Sequence, residues 1–359
     1  MTLNQAYSLI KAATCPEDIF EVNGDPAEDI KRRFRELVQV VHPDRHATKK
    51  AKEVATETLK LLNDLHVEAE EKLAAGTFGK RDAVDVRIKL RKVEYHLTRK
   101  LKPGDICNVY GGVQVGASEP LVFKVARHPG DNDLVDAERD VLRGIKAKAA
   151  SLKIEELVKH HLPALVDAFD VVQGTARHRA NAFRDLGPGY HSLAEIMEAY
   201  PAGIPVQDAA WMFRRLLGAL IAIHGAGYVH GAVVPSHVYV CLKDKTEPGA
   251  HNGVLIDYCY AVERNSRIIC TPHDWVAYYP VDVLQKTPAT YGIDLFMASK
   301  CFENLIGGLN SAPTQIAGLM RACQLGRAHR LQDAREVFDD FTTALRKAYG
   351  SPVFRKFTI

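Results

Sequence analysis

Along residues 1–80 the apolar positions follow a helical period. Ile30, Phe34, Leu37, Val38 and Val41 are spaced four, three, one and three apart, which places them on one face of a helix. That helix starts after Gly24, where Asp25 suits the cap, Pro26 the first turn, and Glu28 stands three residues after the cap. A shorter helix carrying Leu9 and Ile10 precedes it and ends before Cys15-Pro16. A long one follows, with Leu62, Leu65, Ala69 and Leu73 on one stripe, and fades at Ala74-Ala75-Gly76. Past Gly79 the period changes. Val86, Ile88 and Leu90 alternate with Arg87, Lys89 and Arg91, which is a strand pattern. Strand-like runs continue around Val109 and over 121–125. Beyond about residue 155 the pattern is mostly helical, with short β segments near 238 and 254. The spacing predicts an all-helical region over 1–80, a boundary near Arg81, and a two-lobed α+β domain over 81–359.

Composition narrows the function classes. With 359 residues, 47% hydrophobic and 25% charged, the chain can bury a sizeable core. A net charge of +3 does not suit a general nucleic-acid or membrane binder, and neither is expected as a partner. No apolar run approaches the ~18 residues of a membrane span, and residues 1–20 lack the pattern of a secretory signal. Seven scattered cysteines without a C-x-x-C pair argue against a zinc site or a disulfide framework, so the cytoplasm is the expected compartment. The basic series Arg87, Lys89, Arg91, Lys92, Arg99, Lys100 and Lys102 alternates along a strand and reads as a solvated edge.

Local charge is more informative than net charge. Between residues 31 and 50 there are seven Lys/Arg and two Asp/Glu. Lys31, Arg32, Arg33 and Arg35 precede Val41-His42-Pro43-Asp44, where Pro43 ends the helix and makes a rigid loop. Helix, His-Pro-Asp, helix, with a basic face on the first helix, resembles a J-domain over about residues 5–75. The resemblance implies that Lys31, Arg32, Arg33, Arg35, His42, Pro43 and Asp44 dock onto a DnaK-type chaperone and stimulate its ATPase.

The remaining chain carries a second resemblance. Lys124 stands inside the apolar strand Leu121-Val122-Phe123-Lys124-Val125-Ala126, where its charge needs an anion. Glu138 follows in a helical stretch, and Gly104 and Val109 precede. Further on come His230-Gly231-Ala232-Val233-Val234-Pro235-Ser236-His237, Val254-Leu255-Ile256-Asp257-Tyr258-Cys259, Pro280-Val281-Asp282, Asp294 and Arg330. This order is similar to that of protein kinases: phosphate loop, strand lysine, helix glutamate, catalytic loop, metal-binding aspartate, and a late arginine that pairs with an acid. The resemblance implies nucleotide binding at Gly104, Val109, Lys124 and Glu138, metal binding at Asp257 and His237, and ATP and magnesium as cofactors. The departures bear on activity. Ala232 replaces the catalytic base, Val234 the basic residue of the loop, and His237 the metal-binding asparagine, while Lys102 and Cys107 replace two of three loop glycines. Without the base, efficient phosphoryl transfer is not expected, and His237 is the one candidate substitute.

Together the two resemblances describe an α+β chain: an all-helical J-domain hairpin over 1–80, then a two-lobed kinase-like domain over 81–359, with an N-lobe over about 81–180 and a C-lobe over about 181–359. The expected function is chaperone recruitment joined to a pseudokinase that holds nucleotide, a client or a regulatory protein. The alternatives are an active atypical Ser/Thr kinase targeted by its J-domain and a non-catalytic scaffold.

Overall fold

The computed structural model describes residues 1–13, 15–22, 24–79, 83–101 and 104–359. The boundary expected near Arg81, and Lys102, lie outside the described residues. The chain divides into two compact units, 1–124 and 125–359.

The first unit begins with three helices, α1 (Leu3–Ala12), α2 (Pro26–Val41) and α3 (Lys49–Ala74). Thr2 and Gln5 form a capping box on α1, and the Asp25 carboxylate accepts from the Ala27 N–H at 2.9 Å at the start of α2. The apolar stripes pack as their spacing requires. Ile30, Leu37 and Val41 of α2 meet Leu62 and Ala69 of α3, with Ala6, Ile10, Ile19 and Phe20 closing the cluster. A buried ion pair fastens the far end: Lys72 Nζ lies 2.7 Å from Glu17 Oε1, which also accepts from the Gly79 N–H at 3.0 Å. Strands β1 (Ala83–Lys89), β2 (Glu94–Leu101), β3 (Cys107–Gln114) and β4 (Pro120–Ala126) follow in that spatial order, the first three antiparallel. Of the alternating residues in β1, Ile88 is buried and Val86 is exposed, as on an edge strand. The basic edge is partly neutralised: Arg87 pairs with Glu94 at 3.6 Å, and Lys100 pairs with Glu68 of α3.

The second unit opens with α4 (Asn132–Leu152) and α5 (Glu155–His161), then the hairpin of β5 (Leu165–Gln173) and β6 (Ala176–Arg184). The sequence pattern, read as mostly helical here, missed this hairpin. Its strands place Val166 and Val172 on the exposed side, so the period-two signal is blurred, and Gly174 makes the turn at φ +60°. Strand β7 (Tyr190–Ser192) leads through α6 (Leu193–Ala199) to α7 (Val206–Gly225), the central helix of the core. Strand β8 (Tyr228–Val229) pairs with β11 (Val262–Glu263), while β9 (Val238–Cys241) lies between β7 and β10 (Gly253–Leu255). The β segments expected near 238 and 254 are β9 and β10. Helices α8 (Val281–Leu284), α9 (Tyr291–Leu305), α10 (Thr314–Cys323) and α11 (Ala334–Tyr349) complete the unit. Among the described residues no helix is long and apolar enough to cross a membrane.

Candidate functional site

The loop after β8 is anchored by one carboxylate. Asp294, fully buried in the first turn of α9, accepts from the backbone N–H groups of His230 at 2.8 Å and Gly231 at 2.9 Å, and its Oδ2 lies 2.9 Å from His224 Nε2. Gly231 turns at φ +73°, and a Cβ there would stand 2.8 Å from the Tyr260 carbonyl oxygen. A side chain at this corner is excluded twice, by backbone conformation and by space.

His230 is fully enclosed. Its Nδ1 accepts from the Ala232 N–H at 3.3 Å, and its Nε2–H donates to the Ile256 carbonyl at 3.1 Å. Both nitrogens are therefore used by the neutral ring. Burial pushes its pKa from 6.5 down to about 4, against the opposing pull of the Asp294 carboxylate. Between these values the unfolded chain binds a proton that the folded chain excludes, so stability falls as pH drops below 6.5. The loss from this group is expected to reach about 2 kcal/mol by pH 5. Burial also lowers the pKa values of His161 and His251, with the same sign. Denaturant titrations at pH 7 and pH 5 check this, and His230→Gln is expected to flatten the difference.

Beyond His230 the loop is apolar. Ala232, Val233 and Val234 are all buried. The Ala232 carbonyl accepts from His237 Nδ1 at 2.9 Å, which turns His237 Nε2 toward Asp257 Oδ2 at 3.6 Å. Asp257 follows β10 in a left-handed conformation, φ +66°, and caps the turn Tyr258–Tyr260 by accepting from the Cys259 N–H at 3.4 Å. Glu138, buried on α4, reaches the same turn: its Oε1 accepts from the Tyr258 N–H at 3.1 Å and its Oε2 from Asn181 Nδ2 at 3.0 Å. Asn181 also donates to the Val135 carbonyl at 2.9 Å and so ties β6 to α4. Nothing in the local sequence marks Asn181, because its role depends on partners 43 and 46 residues away.

The structure thus brings Glu138, His237 and Asp257 to one turn of the second unit. Ligand atoms of Glu138, Asp257 and Cys259 lie within 4.8 Å of one another. Asp257 suits magnesium, which prefers oxygen ligands. The His237 nitrogen and the Cys259 sulfur suit softer divalent ions. Among these groups the carboxylates of Asp257 and Glu138 are the hard donors, and both Glu138 oxygens already accept hydrogen bonds, from the Tyr258 N–H and Asn181. Lys124, Val109 and Gly104 belong to the first unit. Lys124 is half-buried in β4, Val109 stands opposite Leu101 in the β2–β3 ladder, and the Gly104 N–H donates to the Cys107 carbonyl at 3.0 Å.

Two further groups have clear geometry. Asp282 and Arg330, both buried, pair at 2.9 Å, with the guanidinium over the Phe296 ring. At the far end of the sequence, Pro43–Arg45 forms one helical turn that presents its polar groups to solvent. The His42 side chain is 45% exposed and that of Asp44 87%, and His42 Nδ1 accepts from the Asp44 N–H at 3.3 Å. Lys31 and Arg35 are exposed on α2, while Arg32 pairs with Asp29 at 2.6 Å and Arg33 with Glu36 at 3.2 Å.

No protein-family model matches the sequence. No curated protein matches it either. Solved structures do. The chain is similar to the BubR1 kinase domain, with a TM-score of 0.56 and 13% identity over 80% of this chain and 93% of that one. It is also similar to vaccinia related kinase 3, with a TM-score of 0.58 and 13% identity over 79% of this chain and 97% of that one. Identity at this level speaks for the fold alone, and on that ground the chain has a protein-kinase-like fold.

Proposed function

We propose that this chain recruits a DnaK-type chaperone through its N-terminal helical hairpin, and that its kinase-like part binds nucleotide, a client or a regulatory protein without transferring phosphate. One observation carries the second half: the position of the catalytic base is held by Ala232, a buried methyl group with no proton acceptor. Phosphoryl transfer to a hydroxyl draws on such a base as well as on positioning and charge. Asp257 would hold magnesium, which would neutralise phosphate charge, and Lys124 is the residue for the phosphates themselves. Expected results are a thermal shift with magnesium and ATP, weakened in Lys124→Ala and Asp257→Ala, and no incorporation of phosphate. Incorporation by the unmodified chain that both substitutions abolish would replace this reading by that of an active atypical Ser/Thr kinase, with His237 as the base.

The exposed His42 and Asp44 and the basic face of α2 support the first half. The Arg33–Glu36 bridge is solvent-accessible and worth under about 1 kcal/mol, so it exchanges readily for an acidic partner, while Arg32 keeps its guanidinium in solvent although it pairs with the buried Asp29. In the cytoplasm such a hairpin would meet its chaperone by electrostatic steering. His42→Gln is expected to lower stimulation of a DnaK-type ATPase by about tenfold, the effect of losing ~1.4 kcal/mol of docking. It should leave the melting curve unchanged, since His42 makes one exposed loop contact. Equal stimulation by His42→Gln and the unmodified chain would sink the recruiting role.

A further inference from the structure

Residues 351–359 have no regular secondary structure, yet residues 354–358 are held against the second unit. The Phe354 ring stacks on His251 at 4.1 Å, and His251 stacks in turn on Trp211 of α7 at 4.0 Å and 3°. Arg355 meets Asp208 of α7 with two bonds, Nε–Oδ1 at 2.7 Å and Nη2–Oδ2 at 3.2 Å. Lys356 Nζ lies 3.1 Å from Asp244 Oδ2. Phe357 is buried beside Tyr200. Two main-chain contacts set the register: His251 Nε2–H donates to the Arg355 carbonyl at 3.0 Å, and the Tyr200 hydroxyl to that of Thr358 at 2.7 Å.

This is the anatomy of a peptide in a groove. Two acids face two consecutive cations, and an aromatic slot lies on either side. With the segment in place the Asp208 side chain is only 6% exposed while that of Arg355 is 46% exposed, so the bidentate pair covers the carboxylate and leaves the outer side of the cation in solvent. When the segment lifts, the groove still demands a cation of the same geometry between two aromatic rings. Among the described residues the segment is held by side-chain contacts and the two carbonyls, with no helix or sheet for a competitor to unravel.

We propose that Tyr200, Asp208, Trp211, Asp244 and His251 form a docking groove for an extended aromatic–Arg–Lys–aromatic segment of a partner protein, and that residues 354–358 occupy it as a built-in competitor. Tethering gives the competitor an effective concentration that a free peptide must exceed.

The probe is a fluorescent peptide of residues 351–359, read by anisotropy. It should bind the chain ending at Gly350 and bind the full chain at least about tenfold more weakly. Asp208→Asn in the shortened chain should weaken binding by at least about tenfold. A thermal melt establishes that the shortened chain is folded. If it is not, the full chain carrying Phe354→Ala and Arg355→Ala replaces it, and the peptide should bind that variant. Absence of binding to the folded protein, equal binding to the full and shortened chains, or indifference to Asp208→Asn would overturn the proposal. Dimerisation of the full chain that disappears on shortening would also overturn it, by making a second copy the occupant.

Discussion

Asp294→Ala is expected to lower the unfolding free energy by about 4 kcal/mol, among the largest effects of any single substitution in the second unit. One carboxylate accepts from two backbone N–H groups and faces a histidine, all inside the core. Alanine removes the acceptor and leaves the His230 and Gly231 N–H groups buried with no carboxylate to receive them. Each such group costs about 1–3 kcal/mol, more where the lost bond was charge-assisted. His230 is fully buried, and the corner at Gly231 is so tight that even an added Cβ would stand 2.8 Å from the Tyr260 carbonyl, so the freed N–H groups have little access to water. Asp294→Asn should cost less than alanine, since its carbonyl oxygen still serves one donor. Urea titration of the three proteins provides the check. A drop below about 1 kcal/mol for alanine would mean that the loop holds its shape without the anchor.

Glu17→Ala is expected to be strongly destabilising in the first unit, by about 3 kcal/mol, because it removes the carboxylate that the almost fully buried Lys72 and the Gly79 N–H both contact. Both side chains are almost fully buried, and the Gly79 N–H loses its acceptor as well. The informative comparison is the double variant Glu17→Met, Lys72→Met. Apolar side chains of similar length remove both charges together, so most of the loss should be recovered. Failure of the double variant to recover at least half of the loss would shift the weight from the Glu17–Lys72 pair to the Gly79 bond and to packing. The helical circular-dichroism signal during urea titration follows the helices that this pair joins. The salt dependence should be small, since buried pairs are poorly screened.

How far the sequence alone could be read depended on the range of the interaction concerned. The helix of residues 26–41 was legible because its cap, its proline and its apolar stripe all lie within the seventeen residues from Asp25 to Val41. The exposed His42-Pro43-Asp44 turn follows from the same local rules. The β5–β6 hairpin was not legible: valines on the solvent side hid the alternation, and only pairing with a neighbour makes those residues a strand. Nothing in the local sequence marks Trp211 as the platform under His251. Asn181 and the bond from Glu138 to the Tyr258 N–H were invisible, since the two ends of that bond are 120 residues apart.

By itself, then, the sequence determined the chemical identity of each position and the elements whose signals are local. A methyl group at Ala232 cannot accept a proton in any fold, and a proline at 43 ends a helix in any context. The tertiary structure decided what those identities are worth. Burial holds His230 neutral, three convergent donors make Asp294 an anchor, and a groove turns Arg355 from a surface cation into the partner of an enclosed carboxylate. These properties come from desolvation and from groups brought together across long stretches of chain. Neither has any counterpart in the spacing of residues along it.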